Sequence, residues 1–144
     1  DKTEADGLEN SIWESWMAHP DPSAAEMLMI ATEAIVTQHY DAAEAVLDDL
    51  IERQPEYAEA WHKRATLLYL QGRDRECVEN LQRTLELEPR HFGAMCHFAE
   101  ICIAHGERDM ASFALDAALD INPHLTEAQT ARRRISKAQS RTIH

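Results

Sequence analysis

Apolar residues recur along this chain at spacings of three and four, which is the pattern of amphipathic helices. The clearest example is residues 58–91, in which Trp61, Ala65 and Leu68 form a first apolar stripe and Leu81 begins a second one. Polar residues fill most of the positions between them. The pattern therefore predicts two consecutive helices, each with one buried face.

Helix-breaking residues divide and close this stretch. Gly72 follows the first stripe, and a residue without a side chain readily takes the left-handed conformation that ends a helix. Pro89 follows the second stripe and cannot continue a helix. The stretch therefore predicts an antiparallel pair of helices, joined by a turn of about two to five residues.

The same pattern occurs three times at an interval of 34 residues, and Pro55, Pro89 and Pro123 mark it most clearly. The three aligned blocks are residues 24–57, 58–91 and 92–125. Gln38 stands in the first block where the other two have glycine. Because a single block of this kind cannot bury its own apolar face, each must stack on a neighbour. The repeat therefore predicts an all-α array.

Two flanking segments complete a predicted array of about eight helices in a single domain that spans residues 1–144. Residues 7–19 predict an N-terminal capping helix with one apolar face. Residues 126–140 predict a C-terminal capping helix with Ala131 and Ile135 on its inner side. Polar outer faces on such terminal helices keep helical arrays soluble.

The blocks resemble tetratricopeptide repeats, whose pattern has an early aromatic residue, a small residue four positions on, later alanines and a proline near the end. In this chain the pattern appears as Trp61, Ala65, Gly72 and Pro89, and as Ala99, Gly106, Ala111, Ala118 and Pro123. The resemblance covers about 70% of the chain and implies a right-handed superhelical array of antiparallel helix pairs. The whole chain also resembles small bacterial tetratricopeptide proteins of unassigned role that begin with an IWxxW helix.

Three residues depart from the family pattern. Arg64 stands where leucine is typical, and Cys77 and Thr84 stand where alanine is typical. We expect the long Arg64 side chain to run along the helix pair towards an acidic residue. Cys77 and Thr84 are small enough to be buried, so the predicted fold is unchanged.

The net charge of −12 is unevenly distributed. Residues 1–56 carry a net charge of −12, residues 57–123 carry −4, and residues 124–144 carry +4. An acidic body argues against a nucleic-acid partner, because that kind of binding depends on neutralising phosphates. The basic residues of the C-terminal segment are interpreted as a solvated helix end that matches the helix dipole, and an RNA or membrane contact is the minor alternative.

The cysteine pattern favours free thiols. Cys77, Cys96 and Cys102 are odd in number and have no CxxC spacing, so they do not suggest a disulfide framework. This favours a cytoplasmic or organellar location, whereas removal of a leader segment would allow a periplasmic one. No apolar run approaches the roughly 20 residues that a membrane span needs, so no span is expected.

The sequence contains no enzyme motif such as GxSxG, a phosphate-binding loop or HExxH, and we expect neither an enzymatic activity nor a cofactor. Histidine is frequent, with eight residues. His62, Cys96 and His97 occupy equivalent or adjacent positions of successive first helices, and their side chains suit zinc or copper. A polar lining of a groove is the favoured interpretation, and metal binding is the minor alternative.

The family resemblance implies that the first helices of the pairs line a concave groove that binds a protein segment. Alignment gives the predicted groove contacts as Met29, Thr32, His62, Lys63, Thr66, Tyr69, His97 and Glu100. The same surface includes Leu28, Ile35, Leu70, Cys96 and Ile103. This mixture of apolar and polar side chains suits a peptide or a helix, and it predicts a scaffold or adaptor role.

A chaperone-binding clamp is not expected. Family members that bind chaperone C-termini hold the terminal carboxylate with a set of lysine, asparagine and arginine residues. The equivalent places in this chain are occupied by Leu28, Thr32, Lys63, Gly93 and His97. Only Lys63 has suitable chemistry.

Self-association is the second hypothesis for function. The acidic N-terminal third and the basic tail would attract each other in neighbouring copies. Alternatively, Trp13 and Trp16 would form an apolar patch in a homodimer. The sequence leaves this hypothesis open beside the binding of a different protein.

Overall fold

Seven α-helices form the part of the chain that the computed structural model describes, residues 21–142, with side chains described as far as Lys137. They are α1 (Pro22–Val36), α2 (Tyr40–Arg53), α3 (Ala58–Leu70), α4 (Asp74–Leu87), α5 (Phe92–Ala104), α6 (Arg108–Ile121) and α7 (Thr126–Thr142). These residues include no strand, so the predicted all-α class is confirmed. None of these helices is both long and apolar enough to cross a membrane. The N-terminal helix predicted over residues 7–19 lies outside the described residues.

The first helix begins where the sequence supplies a capping residue. Asp21 Oδ1 accepts a hydrogen bond from the backbone N–H of Ser23 at 2.9 Å, and Pro22 opens the helix. The later first helices follow the sequence period. They begin at Ala58 (α3), Phe92 (α5) and Thr126 (α7). The connections alternate between three and four residues in length. The helix starts therefore repeat with the same interval as the sequence.

The described residues form two compact units, an N-terminal unit of residues 21–89 and a C-terminal unit of residues 90–142. In the N-terminal unit, α1 packs on α2, α3 packs on α4, and α3 also contacts α1 and α2. In the C-terminal unit, α5 packs on α6, and α7 contacts both. We call α1, α3, α5 and α7 the first helices, and α2, α4 and α6 the second helices.

Small and aliphatic side chains, together with Tyr57, form the core of the N-terminal unit. One cluster contains Ala31, Ala43, Leu47 and Leu67. A second cluster contains Ala24, Leu28, Leu50, Tyr57 and Ala60. The second helices α2, α4 and α6 all bury the same repeat position completely. The residues at this position are Leu47, Leu81 and Leu115. The apolar stripe read from the sequence is therefore the stripe that each second helix buries.

The turn inside each helix pair has one residue in the left-handed region. The φ angle is 64° at Gln38, 74° at Gly72 and 77° at Gly106. The residue after it donates a backbone hydrogen bond to the helix end, as Arg73 N does to Leu68 O at 2.8 Å. The first pair therefore keeps the turn of the others, although a glutamine replaces the glycine.

We expect Gln38→Gly to raise the free energy of unfolding by about 0.5–1 kcal/mol, because a residue with a side chain is strained in the left-handed region. Gly72→Gln should lower it by a similar amount. Apart from Gly72 itself and its adjoining residues, no atom lies within 4 Å of a Cβ placed on Gly72, so the cost there arises in the backbone. Urea unfolding followed by circular dichroism measures both changes.

Gln82→Gly is the matched control for this pair, because Gln82 is an exposed residue within α4. The same substitution should destabilise the protein there by about 1 kcal/mol, since glycine is a poor helix former. Stabilisation at both glutamines, or no change at Gln38, would contradict the assignment of strain to the turn.

An ion pair links a first helix to the second helix that precedes it. In the N-terminal unit, Arg64 Nε lies 2.9 Å from Asp48 Oδ1, and Arg64 Nη1 donates to Asn80 Oδ1 at 3.2 Å. In the C-terminal unit, Arg132 Nε lies 3.1 Å from Asp116 Oδ1. The Arg64 side chain therefore reaches an acidic residue, as the sequence predicts, and the same contact recurs two periods later.

The last helix, α7, combines an apolar inner side with a polar side where other first helices are apolar. Its buried residues include Ala128, Ala131 and Ile135. At the positions equivalent to Trp61, Ala65 and Leu68 of α3, α7 carries Gln129, Arg133 and Ser136. Gln129 keeps one function of Trp61, because both side chains donate to the carbonyl of a repeat proline, at 2.7 and 2.9 Å. The side that would pack on a further second helix is therefore solvated.

Candidate protein-binding face

Exposed apolar side chains are concentrated on the first helices of the N-terminal unit. Among residues 21–137, the exposed large hydrophobic residues are Met29, Ile30, Val36, Tyr69, Leu70, Met110 and Phe113. The first five of these lie on α1 and α3. Single exposed apolar residues are common on proteins, but a group on neighbouring helices is typical of an interaction surface.

The 34-residue period places these side chains in register. Val36 and Leu70 are repeat equivalents that are 76% and 48% exposed, and Tyr69 is the equivalent of Ile35. We define the first-helix face as the surface of the N-terminal unit formed by Met29, Thr32, Ile35, Val36, Lys63, Thr66, Tyr69 and Leu70. Residues three and four apart share one side of a helix, and α1 contacts α3, so these side chains form one surface.

Three residues that sequence alignment assigns to the groove are buried instead. Leu28, His62 and Cys96 are 1%, 8% and 2% exposed. All three occupy the same repeat position, which points inward, whereas the next residue along each helix lies about 100° around the axis. The sequence-based expectation that His62 is a surface contact is therefore corrected, because its side chain belongs to the interior.

A buried carboxylate lies next to Lys63. Glu59 is completely buried, and its Oε1 lies 3.3 Å from His62 Nδ1 and 4.0 Å from Lys63 Nζ. Burying a charge is costly unless the charge is paired, so these neighbours stabilise the acid. The Lys63 side chain, 21% exposed, is held towards this internal acid. Sequence reasoning missed Glu59, because an acid in the first turn of a helix is usually solvated.

The two threonines of the first-helix face direct their hydroxyl hydrogens into their own helices. Thr32 Oγ1 donates to the Leu28 carbonyl at 2.8 Å, and Thr66 Oγ1 donates to the His62 carbonyl at 3.2 Å. Bonds of this kind satisfy the donor and leave the methyl group as part of the surface. The face is therefore more apolar than its residue types suggest.

The predicted contacts of the C-terminal unit lie on α5, where His97 and Glu100 are half-buried. Arg134 Nη2 of α7 lies 2.6 Å from Glu100 Oε1. Glu100 and Arg134 are repeat equivalents, 34 residues apart, so the ion pair joins the same position of two successive first helices. Sequence reasoning assigned Glu100 but missed Arg134, although the repeat period contained the signal.

The three cysteines are buried, and among the described residues they form no disulfide. Burial raises the pKa of the Cys77 thiol to about 12 and also raises the pKa of Cys102. A thiolate, not a thiol, is the reactive nucleophile, so Cys77 and Cys102 are expected to react slowly with thiol reagents at neutral pH. Metal binding by His62, Cys96 and His97 stays a prediction.

Residues 36–118 match the family model described as "Anaphase-promoting complex, cyclosome, subunit 3", which is more than half of the chain. The chain therefore belongs to this family of tetratricopeptide-repeat proteins. It is also 33% identical over 129 residues to a tetratricopeptide repeat-containing protein of Rhizobium etli. That alignment covers 90% of this chain, and the chain spans 63% of the length of the relative.

Two solved structures share the fold. The TPR2B domain of yeast Sti1, in complex with pHsp70, has a TM-score of 0.73 and 22% identity, covering 82% of this chain and 99% of that chain. The Yersinia enterocolitica type III secretion chaperone SycD, in complex with a peptide of the translocator YopD, has a TM-score of 0.74 and 13% identity. It covers 83% of this chain and 96% of that chain. The similarity confirms a tetratricopeptide-type helical array.

Proposed function

We propose that this protein is a non-enzymatic interaction module that binds a segment of another protein on its first-helix face, in a scaffold or adaptor role. The observation that carries the proposal is the group of exposed apolar side chains at equivalent positions of α1 and α3. The proposal is also supported by the fold shared with a domain in complex with pHsp70 and with a chaperone in complex with a translocator peptide.

Three side chains at the C-terminal ends of α1 and α3 are the expected anchors. Val36, Tyr69 and Leu70 are well exposed and lie in one register. Aromatic side chains are frequent among the residues that dominate binding energy, because they bury a large area and lose little conformational freedom. Met29 adds a flexible apolar contact that adapts to different partners. Binding therefore rests on a small apolar centre.

The polar residues predicted as contacts, taken separately in each unit, have a secondary role. The charge of Lys63 is partly offset by the carboxylate of Glu59. In the C-terminal unit, Glu100 forms an ion pair with Arg134. Partly exposed charges of this kind contribute more to specificity and association rate than to affinity. His97 completes the proposed contacts of the C-terminal unit.

Tyr69→Ala and Leu70→Ala are expected to weaken peptide binding by about tenfold each, because each removes apolar area from the centre of the face. A library of natural 15-residue segments displayed on phage supplies the ligands. Enriched peptides are then measured in solution by fluorescence anisotropy with the wild-type protein and each variant.

Phe113→Ala is the matched control, since Phe113 is an exposed apolar residue on a second helix of the other unit. It should leave the affinity of the same peptides unchanged. Equal losses for Phe113→Ala and Tyr69→Ala, or no loss for Tyr69→Ala and Leu70→Ala, would overturn the assignment of binding to the first-helix face.

A further inference from the structure

The side of α1 that borders the first-helix face is acidic. Glu26 and Glu33 are exposed, and together with Met29, Ile30 and Thr32 they line an open depression of about 480 Å³. The sequence of α1 contains no basic residue. Residues 21–89 as a whole contain 15 acidic and six basic residues. A partner that docks on this face therefore enters a negative potential.

Glu26 and Glu33 are exposed at repeat positions that are buried in α3. Their repeat equivalents in α3 are Ala60 and Leu67, which are completely buried. In α1 the same positions carry exposed carboxylates, beside Met29 and Ile30, which are 67% and 49% exposed. The depression thus combines apolar surface with negative charge, and it has the composition of a binding surface for a ligand that is both apolar and basic.

Basic side chains on the first-helix face do not cancel this charge. Among its described residues the only cation is Lys63, and Lys63 Nζ lies 4.0 Å from the buried carboxylate of Glu59. Glu59 therefore offsets part of the charge of Lys63. Glu26 and Glu33, in contrast, are exposed, and their charges are accessible to a partner.

The face also favours a helical ligand over an extended one. An extended segment leaves its backbone N–H and C=O groups to be satisfied by the receptor, whereas a helix satisfies its own. The hydroxyl hydrogens of Thr32 and Thr66 are already donated within α1 and α3. The face therefore offers apolar contact but few donors for an extended backbone.

We propose that the segment bound on the first-helix face is a basic amphipathic helix. This rests on the function proposed above and names the chemistry of the partner. Its apolar stripe packs on Val36, Tyr69 and Leu70, and its lysine or arginine side chains lie near Glu26 and Glu33. The charge pattern selects against acidic segments, since like charges across an interface are unfavourable.

Three synthetic peptides of about 18 residues test the proposal, since that length gives five helical turns. The first has leucines at helical spacing and lysines elsewhere, the second has glutamates in place of the lysines, and the third is a scrambled form of the first. Fluorescence anisotropy with the full chain is measured in about 0.05 M and about 0.5 M salt, where screening differs strongly.

The leucine–lysine peptide should bind at least about tenfold more tightly than its glutamate and scrambled counterparts in low salt, and high salt should reduce this difference. Replacing both Glu26 and Glu33 with glutamine should weaken its binding by about three- to tenfold, since exposed charge pairs have modest energies. The matched control replaces Glu52 and Glu56 with glutamine. It makes the same change in net charge at exposed positions outside the face, and it should have less than a twofold effect.

The outcomes separate the two proposals. If the leucine–glutamate peptide binds more tightly than the leucine–lysine peptide, and Tyr69→Ala abolishes that binding, the basic character of the ligand is wrong and the first-helix face is supported. Equal effects of the two glutamine pairs overturn the role of Glu26 and Glu33. Binding of the scrambled peptide as tightly as the amphipathic one overturns the helical ligand. If Leu70→Ala and Tyr69→Ala do not change the affinity for the leucine–lysine peptide, the assignment of binding to the first-helix face is wrong.

Discussion

Leu81→Ala is expected to lower the free energy of unfolding by about 3 kcal/mol, which is a large part of the stability of a small domain. Leu81 is completely buried in α4, and its repeat equivalents Leu47 and Leu115 are equally buried. Removing its branched end leaves a cavity, because close-packed helices collapse only partly around it. Urea unfolding followed by circular dichroism at a helical wavelength measures the change.

Leu70→Ala is the matched control, because it removes the same atoms from a leucine that is 48% exposed. Its cost should stay below about 0.5 kcal/mol, as for other surface substitutions. The denaturant dependence should be the same for both variants and the wild type, since it reflects the area exposed on unfolding. Equal destabilisation at both positions would show that the packing of α4 is not as described.

Cys77 is expected to resist thiol reagents in the folded protein by several orders of magnitude. A pKa of about 12 leaves about one thiol in ten thousand ionised at pH 8, against about a quarter for an ordinary cysteine. The thiol is also shielded, because Cys77 is completely buried in α4. Reaction with Ellman's reagent at pH 8, followed by peptide mapping, measures the labelling of Cys77 against time.

In guanidinium chloride the same reagent should titrate all three cysteines at once, because unfolding exposes them and restores an ordinary pKa. The Leu81→Ala variant should label Cys77 faster than the wild type, as its unfolded population is larger. Rapid labelling of Cys77 in the folded wild type would contradict both the burial and the raised pKa. A phosphine keeps the thiols reduced beforehand and is removed before Ellman's reagent is added, because a phosphine would reduce the reagent itself.

The fold was open to sequence reasoning because its information is local and repeated. Three copies in one phase assign each position to an inner or an outer side, and Leu47, Leu81 and Leu115 are buried accordingly. Arg64 was also predictable, since a long basic side chain at an apolar position must reach an acid. The left-handed turn at Gln38 was implied by its alignment with Gly72, although the residue type argues against it.

The candidate site was less predictable, because one helical position separates exposed from buried residues. His62 and Lys63 are neighbours, yet His62 is buried, whereas the Lys63 side chain stays 21% exposed. Family alignment alone does not resolve such a difference of about 100° around the axis. The repeat period places Glu100 and Arg134 at equivalent positions of successive first helices, but the geometry of their ion pair depends on two long side chains and does not follow from that period.

The exposed glutamates of α1 also limit how the repeats can be rearranged. At the same positions α3, α5 and α7 bury an alanine and a larger aliphatic residue, as with Ala60 and Leu67. A copy of residues 24–57 grafted into an interior place of a longer array would bury Glu26 and Glu33 without partners, at a cost of several kcal/mol. Blocks 58–91 and 92–125 have no acidic residue at these two positions, so they avoid this cost. Engineered extension of this protein should therefore duplicate the later blocks and leave the first one at the start.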